Sequence, residues 1–305
     1  MRIPARQSKH STSASTMGFS KIYISEEDTF WEQNHTIPFN ELILSWNGKR
    51  PRGKWTFWVS FYHDEWLKYA EWGSKSQRTF HSKTKHSYCY QDIAAPKEKA
   101  TSFKIKVTGD QLSHLKRLTV CLSNLEKYKQ ASFGPLEEVL IQNVPKLSQM
   151  VLDHPRHKDL CSPTSTTIVL NFFLKNTRID PVDLAPKCHD QEFDIYGNWI
   201  LNVAASYEKT NVPCHVERLN SFAALHARLL KNSPVIVSIK GPLRNAPKPY
   251  ANGHLMCVIG YSNEKVFCVD PGFDANESTY TSYDLKDFLE CWEKRKNLAY
   301  VFEPT

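Results

Sequence analysis

Hydrophobic and polar positions follow two different periods along this chain, and the change falls near residue 135. Before it, FNELILSWNG, KWTFWVSFYH and SFKIKVTG alternate apolar with polar residues or are dense in aromatics, and turn material such as NGKRPRG separates them. That pattern predicts short strands, and their spacing predicts an antiparallel β-sandwich over residues 19–135. After a connector around ASFGPLEE and the segment VLIQNVPKLSQM, the period lengthens. CSPTSTTIVLNFFLKN predicts a helix with Val169, Phe172 and Phe173 on one face. GNWILNVAASYEK predicts a second, striped by Trp199, Val203 and Tyr207. SFAALHARLLKN predicts a third, opened by Ser221 and closed near Asn232. PVIVSI, HLMCVIGYS and KVFCVDP then read as strands, DLKDFLECWE as a short helix and NLAYVF as a last strand. Helices first and antiparallel strands later predict an α+β domain over residues 136–305. Residues 1–18, rich in Ser, Thr and Arg without apolar periodicity, are expected to form a disordered tail.

Composition narrows the classes. The chain has 305 residues, 41% hydrophobic and 23% charged, which suits two globular domains and excludes a wholly disordered chain. No run approaches the roughly 18 consecutive apolar residues of a membrane helix. The net charge of +7 is concentrated in front: residues 1–135 carry 21 Lys/Arg against 12 Asp/Glu, the remainder 18 against 20. Such a surplus could meet an anionic surface, but its density is below that of a dedicated nucleic-acid binder, so nucleic acid is set aside. Trp31, Trp46, Trp55, Trp58, Trp66 and Trp72 all fall in the front half. They either fill the core between sheets or, where exposed, stack on sugar rings, which leaves a carbohydrate ligand open for this half. Eight scattered cysteines without a CxxC pair argue against a zinc ribbon or a redox dithiol and for free thiols in a reducing compartment. The N-terminus has no apolar core of a secretory signal. The expected location is cytoplasmic, or outside the cell by a route that reads no standard signal.

Four residues are candidates to carry the chemistry. Cys161 opens the first predicted helix of the second half, with Pro163 in the first turn, where its missing N–H costs nothing. A helix N-terminus offers free N–H groups and partial positive charge, which favour a thiolate and can receive an oxyanion. His254 and Asp270 lie at the outer ends of the predicted hairpin GHLMCVIGYSNEKVFCVDPG. Their midpoint, 262, falls in its turn SNEK, so they are expected to be cross-strand neighbours with the carboxylate orienting the imidazole. A register error of one residue would send them to opposite faces. Gln149, twelve residues before Cys161, is a candidate second donor to the oxyanion beside the Cys161 N–H. Asp153, His154 and His157, and likewise Cys188, His189 and Asp190, lack a metal-site spacing, so no metal is expected. Asp194 and Asn198 are expected to cap or position the YGNW helix.

The order of Gln, Cys at a helix start, a GHL-type His strand and a closing Asp-Pro resembles the papain-like fold. More closely, KLSQM, LCSPTSTTIVL, FDIYGNWILNVA, PVIVSI, GHLMCVIGYS and VFCVDPGF, over roughly residues 144–272, resemble the bacteriocin-processing (double-glycine leader) cysteine peptidases and their stand-alone relatives. LILSWNGKRPRGKWTFWVSFYHDEWLKYAEWG is similar to the β-sandwich that precedes this domain in some stand-alone members. LCSP stands where transporter-linked members have Cys-Gly, and neither an ATP-binding cassette nor a membrane region is seen, so export coupled to leader cleavage is not implied. The resemblance implies Cys161 as nucleophile, His254 as general base, Asp270 as its orienter and Gln149 in the oxyanion hole. It implies a protein or peptide substrate and no cofactor. Two other readings use the same residues: a glutamine deamidase or transamidase, and a catalytically silent peptide- or carbohydrate-binding protein on this fold.

Overall fold

The computed structural model describes residues 18–62, 65–175 and 177–304, so the tail expected over residues 1–18 lies outside the described residues except for Gly18. The front half holds β1 (Ser20–Glu26), β2 (Phe30–Gln33), β3 (Glu41–Gly48), β4 (Lys54–Ser60), β5 (Leu67–Gly73), β6 (Gln77–Thr79), β7 (Ser82–Lys83), β8 (Ser87–Tyr90), β9 (Ile93–Pro96), β10 (Phe103–Gly109) and β11 (Leu115–Ser123). They form two antiparallel sheets, ordered β1-β11-β3-β9-β8-β7 and β2-β10-β4-β5-β6. The sheets face each other across an aromatic core. Trp46 of β3 stacks on Phe57 of β4 at 4.1 Å and meets Trp72 of β5 edge-on at 6.0 Å. Trp31, Trp46, Trp55 and Trp72 are buried, while Trp58 and Trp66 are half-buried on either side of the Lys106 ammonium.

β3 departs from the expected alternation, because all eight of its residues are buried. Successive side chains point to opposite faces of a strand. Leu42, Leu44 and Trp46 face the other sheet. Glu41, Ser45 and Asn47 face the second half of the chain, where they meet Arg218, the Val216 N–H and the Cys214 backbone. The polar row that alternation assigns to solvent is a junction.

The second half holds β12 (Val139–Leu140), α1 (Cys161–Leu174), α2 (Pro181–Cys188), α3 (Trp199–Thr210), β13 (Cys214–Arg218), α4 (Phe222–Leu229), β14 (Val235–Gly241), β15 (Tyr250–Ser262), β16 (Lys265–Val269), β17 (Tyr280–Asp284), α5 (Leu285–Glu293) and β18 (Leu298–Phe302). One antiparallel sheet, ordered β13-β18-β14-β15-β16-β17, carries them, with β12 paired to the far end of β15. Helices and strands mix as an α+β arrangement. The sequence pattern does not predict the strands β12, β13 and β17 or the helix α2. α2 contains two prolines, but Pro181 takes the first helical position and the Asp180 carboxylate accepts from the Val182 N–H at 2.7 Å.

α1 was expected to bury one stripe. Instead Ser162–Leu170 are all buried, because α1 packs against α2, α3, β14 and β15 at once. Three of the five hydroxyls of its Ser/Thr run find partners on neighbouring elements, while those of Thr164 and Thr167 are buried without one. Ser162 Oγ lies 2.9 Å from the Tyr300 hydroxyl, Ser165 Oγ donates to the Leu255 carbonyl at 2.9 Å, and Thr166 reaches Asn202 on α3. Small hydroxyls let neighbouring backbones approach while keeping their hydrogen bonds. α3 is likewise buried from Ile200 to Ser206 and is capped by the Asn198 side chain, as expected for that residue. Asp92, from the front half, adds a buried carboxyl group, its pKa pushed up to about 8 by burial, that accepts from the Trp199 and Ile200 N–H groups.

Candidate active site

Cys161 is the first residue of α1, and Leu160 before it provides no side-chain cap. The N–H groups of the first turn are therefore not taken by a capping side chain. Of the eight cysteines, seven are buried and Cys161 alone is half-buried. Burial pushes its thiol up, but a hydrogen bond and charge from His254, with the Leu255 and Ser162 N–H groups, outweigh that and hold it below the ordinary thiol value.

His254 lies on β15 opposite Ile239 of β14 and is buried. Its Nε2 is 2.7 Å from Asp270 Oδ1, which leaves Nδ1 for the sulfur. Burial works against the imidazolium, yet the Asp270 charge and hydrogen bond, then Cys161, push its pKa up to about 9. A lowered thiol and a raised imidazole together favour thiolate and imidazolium.

The approach of His254 and Asp270 depends on one bulge. The hairpin turn is Asn263–Glu264, both at positive φ (48° and 59°), as two-residue hairpin turns require, so its centre lies later than residue 262. Ser262 pairs with Lys265, Tyr261 with Val266 and Gly260 with Phe267. Continued unbroken, that register would place Asp270 opposite Cys257, on the face away from His254. Ile259 is an extra residue in β15, and beyond it Val258 pairs with Cys268 and Cys257 with Val269. The parity flips. Asp270 comes to stand level with Met256, two residues from His254 on the same face. The two side chains are diagonal neighbours and not the directly opposed pair that the midpoint argument expected.

Asp270 is fully buried. Oδ1 also accepts from the Gly272 N–H at 2.9 Å, and Oδ2 accepts from the Tyr250 and Tyr283 hydroxyls at 2.7 and 2.6 Å. Burial raises its pKa, but the imidazolium charge and these donors hold it below the usual carboxylate value. Tyr250 also stacks flat on the His254 ring, with centroids 4.0 Å apart and planes 8° from parallel. One phenol thus fixes the plane of the imidazole and the position of its carboxylate. Sequence reading missed Tyr250, Tyr283 and Gly272. Only Gly272 had a signal, standing directly after Asp-Pro.

A Cβ on Gly272 would stand 2.7 Å from the Tyr250 hydroxyl and 3.1 Å from Asp270 Oδ1. Gly272→Ala is therefore expected to displace the Tyr250 hydroxyl from the carboxylate. Losing one charge-assisted bond predicts an about tenfold slower alkylation of Cys161 by iodoacetamide in a folded protein. An unchanged rate would mean the Tyr250 bond does not hold the pair in place.

Gln149 is buried beside this loop, and its N–H donates to the Pro271 carbonyl. Its Nε2 donates to the His157 and Lys158 carbonyls at 3.0 and 2.7 Å, in the turn that delivers Cys161, while Oε1 is buried without a partner. The amide hydrogens considered for an oxyanion are thus engaged by backbone. The two histidine-bearing clusters are drawn apart. His189 contacts Asp194, which also binds Arg156, while Asp190 accepts from Thr79 and Asn198. Among the described residues no group of three His, Cys, Asp or Glu side chains is placed to hold a metal.

A thiol at a helix start, facing an imidazole held by a buried carboxylate, is an arrangement able to transfer acyl groups through a thioester. The chain belongs to the Peptidase_C39 like family, whose model matches residues 141–300, and at the level of that family it is a cysteine peptidase. A solved structure of a candidate C39-like peptidase from Bacillus anthracis is similar over 56% of this chain and 99% of its own, at 18% identity and a TM-score of 0.43. No curated protein matches the chain. Among the described residues no helix is long and apolar enough to cross a membrane.

Proposed function

We propose that this chain cleaves peptide or amide bonds with Cys161 as nucleophile, His254 as acid–base group and Asp270 as its orienter, on a papain-like domain spanning residues 136–305. One observation carries the reading: the single cysteine outside the buried set lies at an uncapped helix start against an imidazole that a fully buried carboxylate keeps charged. The thiolate attacks the carbonyl carbon, and the Cys161 N–H at the helix start receives the oxyanion. His254 gives its proton to the leaving amine, and water, deprotonated by the now neutral imidazole, hydrolyses the thioester. Gln149 first fixes the turn ahead of Cys161 through its two carbonyl contacts. It joins the oxyanion site by releasing one of them.

Residues 19–135 form, in this proposal, a β-sandwich accessory domain that braces the peptidase domain through the Glu41, Ser45, Asn47 and Asp92 contacts. With four of its six tryptophans in the core, support is the reading we favour over sugar binding.

The test is thiol labelling with mass mapping, on wild type and His254→Ala. Cys161 is expected to react with iodoacetamide at pH 6 at least about tenfold faster than any other cysteine, and the substitution to remove that lead. Labelling of Cys161 no faster than the rest removes the basis for an active enzyme.

A further inference from the structure

Arg295 stands in the turn between α5 and β18, with its guanidinium laid against the strand that carries His254. Its Nη2 donates to the Asn252 carbonyl at 2.7 Å. Gly253, the residue before His254, has a φ of 102°, and a Cβ there would lie 2.0 Å from that same Nη2. Any side chain at 253 would therefore occupy the place of the guanidinium. Lys294 sits over Gly241 in the same manner, with Nζ 2.7 Å from where a Cβ would be and φ 115° at the glycine. Two successive cations thus rest on two bare backbone positions at the mouth of the β14–β15 hairpin.

The charge of Arg295 has no counterpart. Among the described residues no carboxylate lies within ion-pairing distance of it, and its Nε is buried without a hydrogen-bond partner. The neighbouring Arg218 is itself a cation, and the carboxylate of Glu41 is engaged by it. Burial and the Arg218 charge both disfavour the cation, and the Cys161 thiolate is what eases it, which puts the guanidinium within electrostatic reach of the sulfur. Beside it Ala251 and Asn252 are exposed, so a ligand can approach from solvent. A half-buried guanidinium without a counter-charge is suited to a carboxylate, to which its outer N–H groups can donate.

We propose that Arg295 is a specificity-determining residue that receives a carboxylate of the substrate. Because it abuts the residue before His254, which protonates the leaving amine, that carboxylate belongs to the leaving half of the substrate, as an acidic side chain or as the chain's own C-terminus. This rests on the reading of Cys161 and His254 given above.

Iodoacetate and iodoacetamide separate the two ideas, since both alkylate the same thiol and differ in one carboxylate. The ratio of their rates at Cys161 is expected to fall about fivefold to tenfold in Arg295→Gln. The iodoacetamide rate itself should stay within a few-fold, showing an intact site, and Arg295→Lys should retain part of the ratio. A ratio unchanged in Arg295→Gln overturns the proposal while leaving the nucleophile in place. A Cys161 that reacts no faster than the other thiols with either reagent overturns the proposed function itself. The source of the carboxylate is read from protection of Cys161 against iodoacetamide. One set of peptides carries Glu side chains with amidated ends, and a second is neutral with free C-termini. Protection by the first, lost in Arg295→Gln, identifies a side chain, and by the second a chain end. Protection by neither overturns the proposal.

Discussion

Asp270→Asn is expected to slow alkylation of Cys161 at pH 6 by about 100-fold. Charge is the cause. With Asp270 in place, the imidazole of His254 is pushed up to about 9 and the thiol is held below its ordinary value, so the pair favours thiolate and imidazolium. An asparagine removes the charge that opposes the burial of His254. Its amide also sets an N–H where a carboxylate oxygen accepts from His254 and Gly272 or from Tyr250 and Tyr283, so at least one of those bonds is lost. The imidazole then loses its proton at lower pH and the thiol keeps its proton to higher pH. An ordinary thiol with a pKa of roughly 8.5 is only about 0.3% ionised at pH 6, which sets the size of the effect. The measurement is the alkylation rate from pH 5 to 10, together with thiolate absorbance. In wild type the rate rises as the lowered thiol ionises and does not fall at alkaline pH. Peptide hydrolysis, by contrast, declines as pH passes about 9, because a neutral imidazole has no proton for the leaving amine. In Asp270→Asn both limits move inward. Equal rates for the two proteins at pH 6 would show that Asp270 does not set the charge on His254.

The residues of this site were legible where chemistry is local and illegible where it depends on register or on distant partners. Cys161 could be placed from a helix start and a proline within its first turn. His254 and Asp270 could be paired from a hairpin, but the midpoint argument assumed an unbroken ladder around residue 262. The turn lies later, and the extra residue at Ile259 restores the parity. Two offsets compensate, and nothing in HLMCVIGYS marks Ile259 as the bulged position. Tyr283 comes from another strand and Tyr250 from the far side of a second irregularity in β15, so neither has a fixed sequence spacing to the group it serves. Arg295 is further still, in a turn whose sequence reads as an ordinary charged run.

The fold shows the same division. Period-two patterning found the strands of the front half, yet it could not say that Glu41, Ser45 and Asn47 on β3 face another part of the protein and not water. A polar residue at a junction and a polar residue at a surface look alike until the partner is known. α1 presents the converse case. Its Ser and Thr positions suggest an exposed face, and they are buried because helices and strands pack around α1, with Tyr300, Leu255 and Asn202 partnering Ser162, Ser165 and Thr166.

That junction also yields the largest expected loss of stability away from the site. Arg218 sets Nε and Nη2 against both oxygens of Glu41, with Nη2 to Oε2 at 3.0 Å, and both side chains are no more than 5% exposed. Its remaining Nη1 donates to the Arg295 and Lys296 carbonyls at 2.6 and 3.3 Å. Glu41→Gln keeps the shape but leaves a buried guanidinium without its counter-charge, and breaking such a pair costs about 3–5 kcal/mol. Urea denaturation followed by tryptophan fluorescence should show that loss, and a change below about 1 kcal/mol would mean that water reaches the pair and screens it. Glu41→Leu with Arg218→Met should recover part of the stability, since no lone charge remains buried. The recovery stays incomplete because the carbonyls of Arg295 and Lys296 lose their donor. The same two carbonyls belong to the turn that presents Arg295 to the hairpin of His254. Glu41, on a strand of the front half, therefore helps hold a group beside the strand of His254. Glu41→Gln is expected to lower the iodoacetate-to-iodoacetamide ratio at Cys161 as well, while the iodoacetamide rate of the folded protein stays near wild type. A ratio that stays fixed while stability falls would confine the front half to bracing the fold.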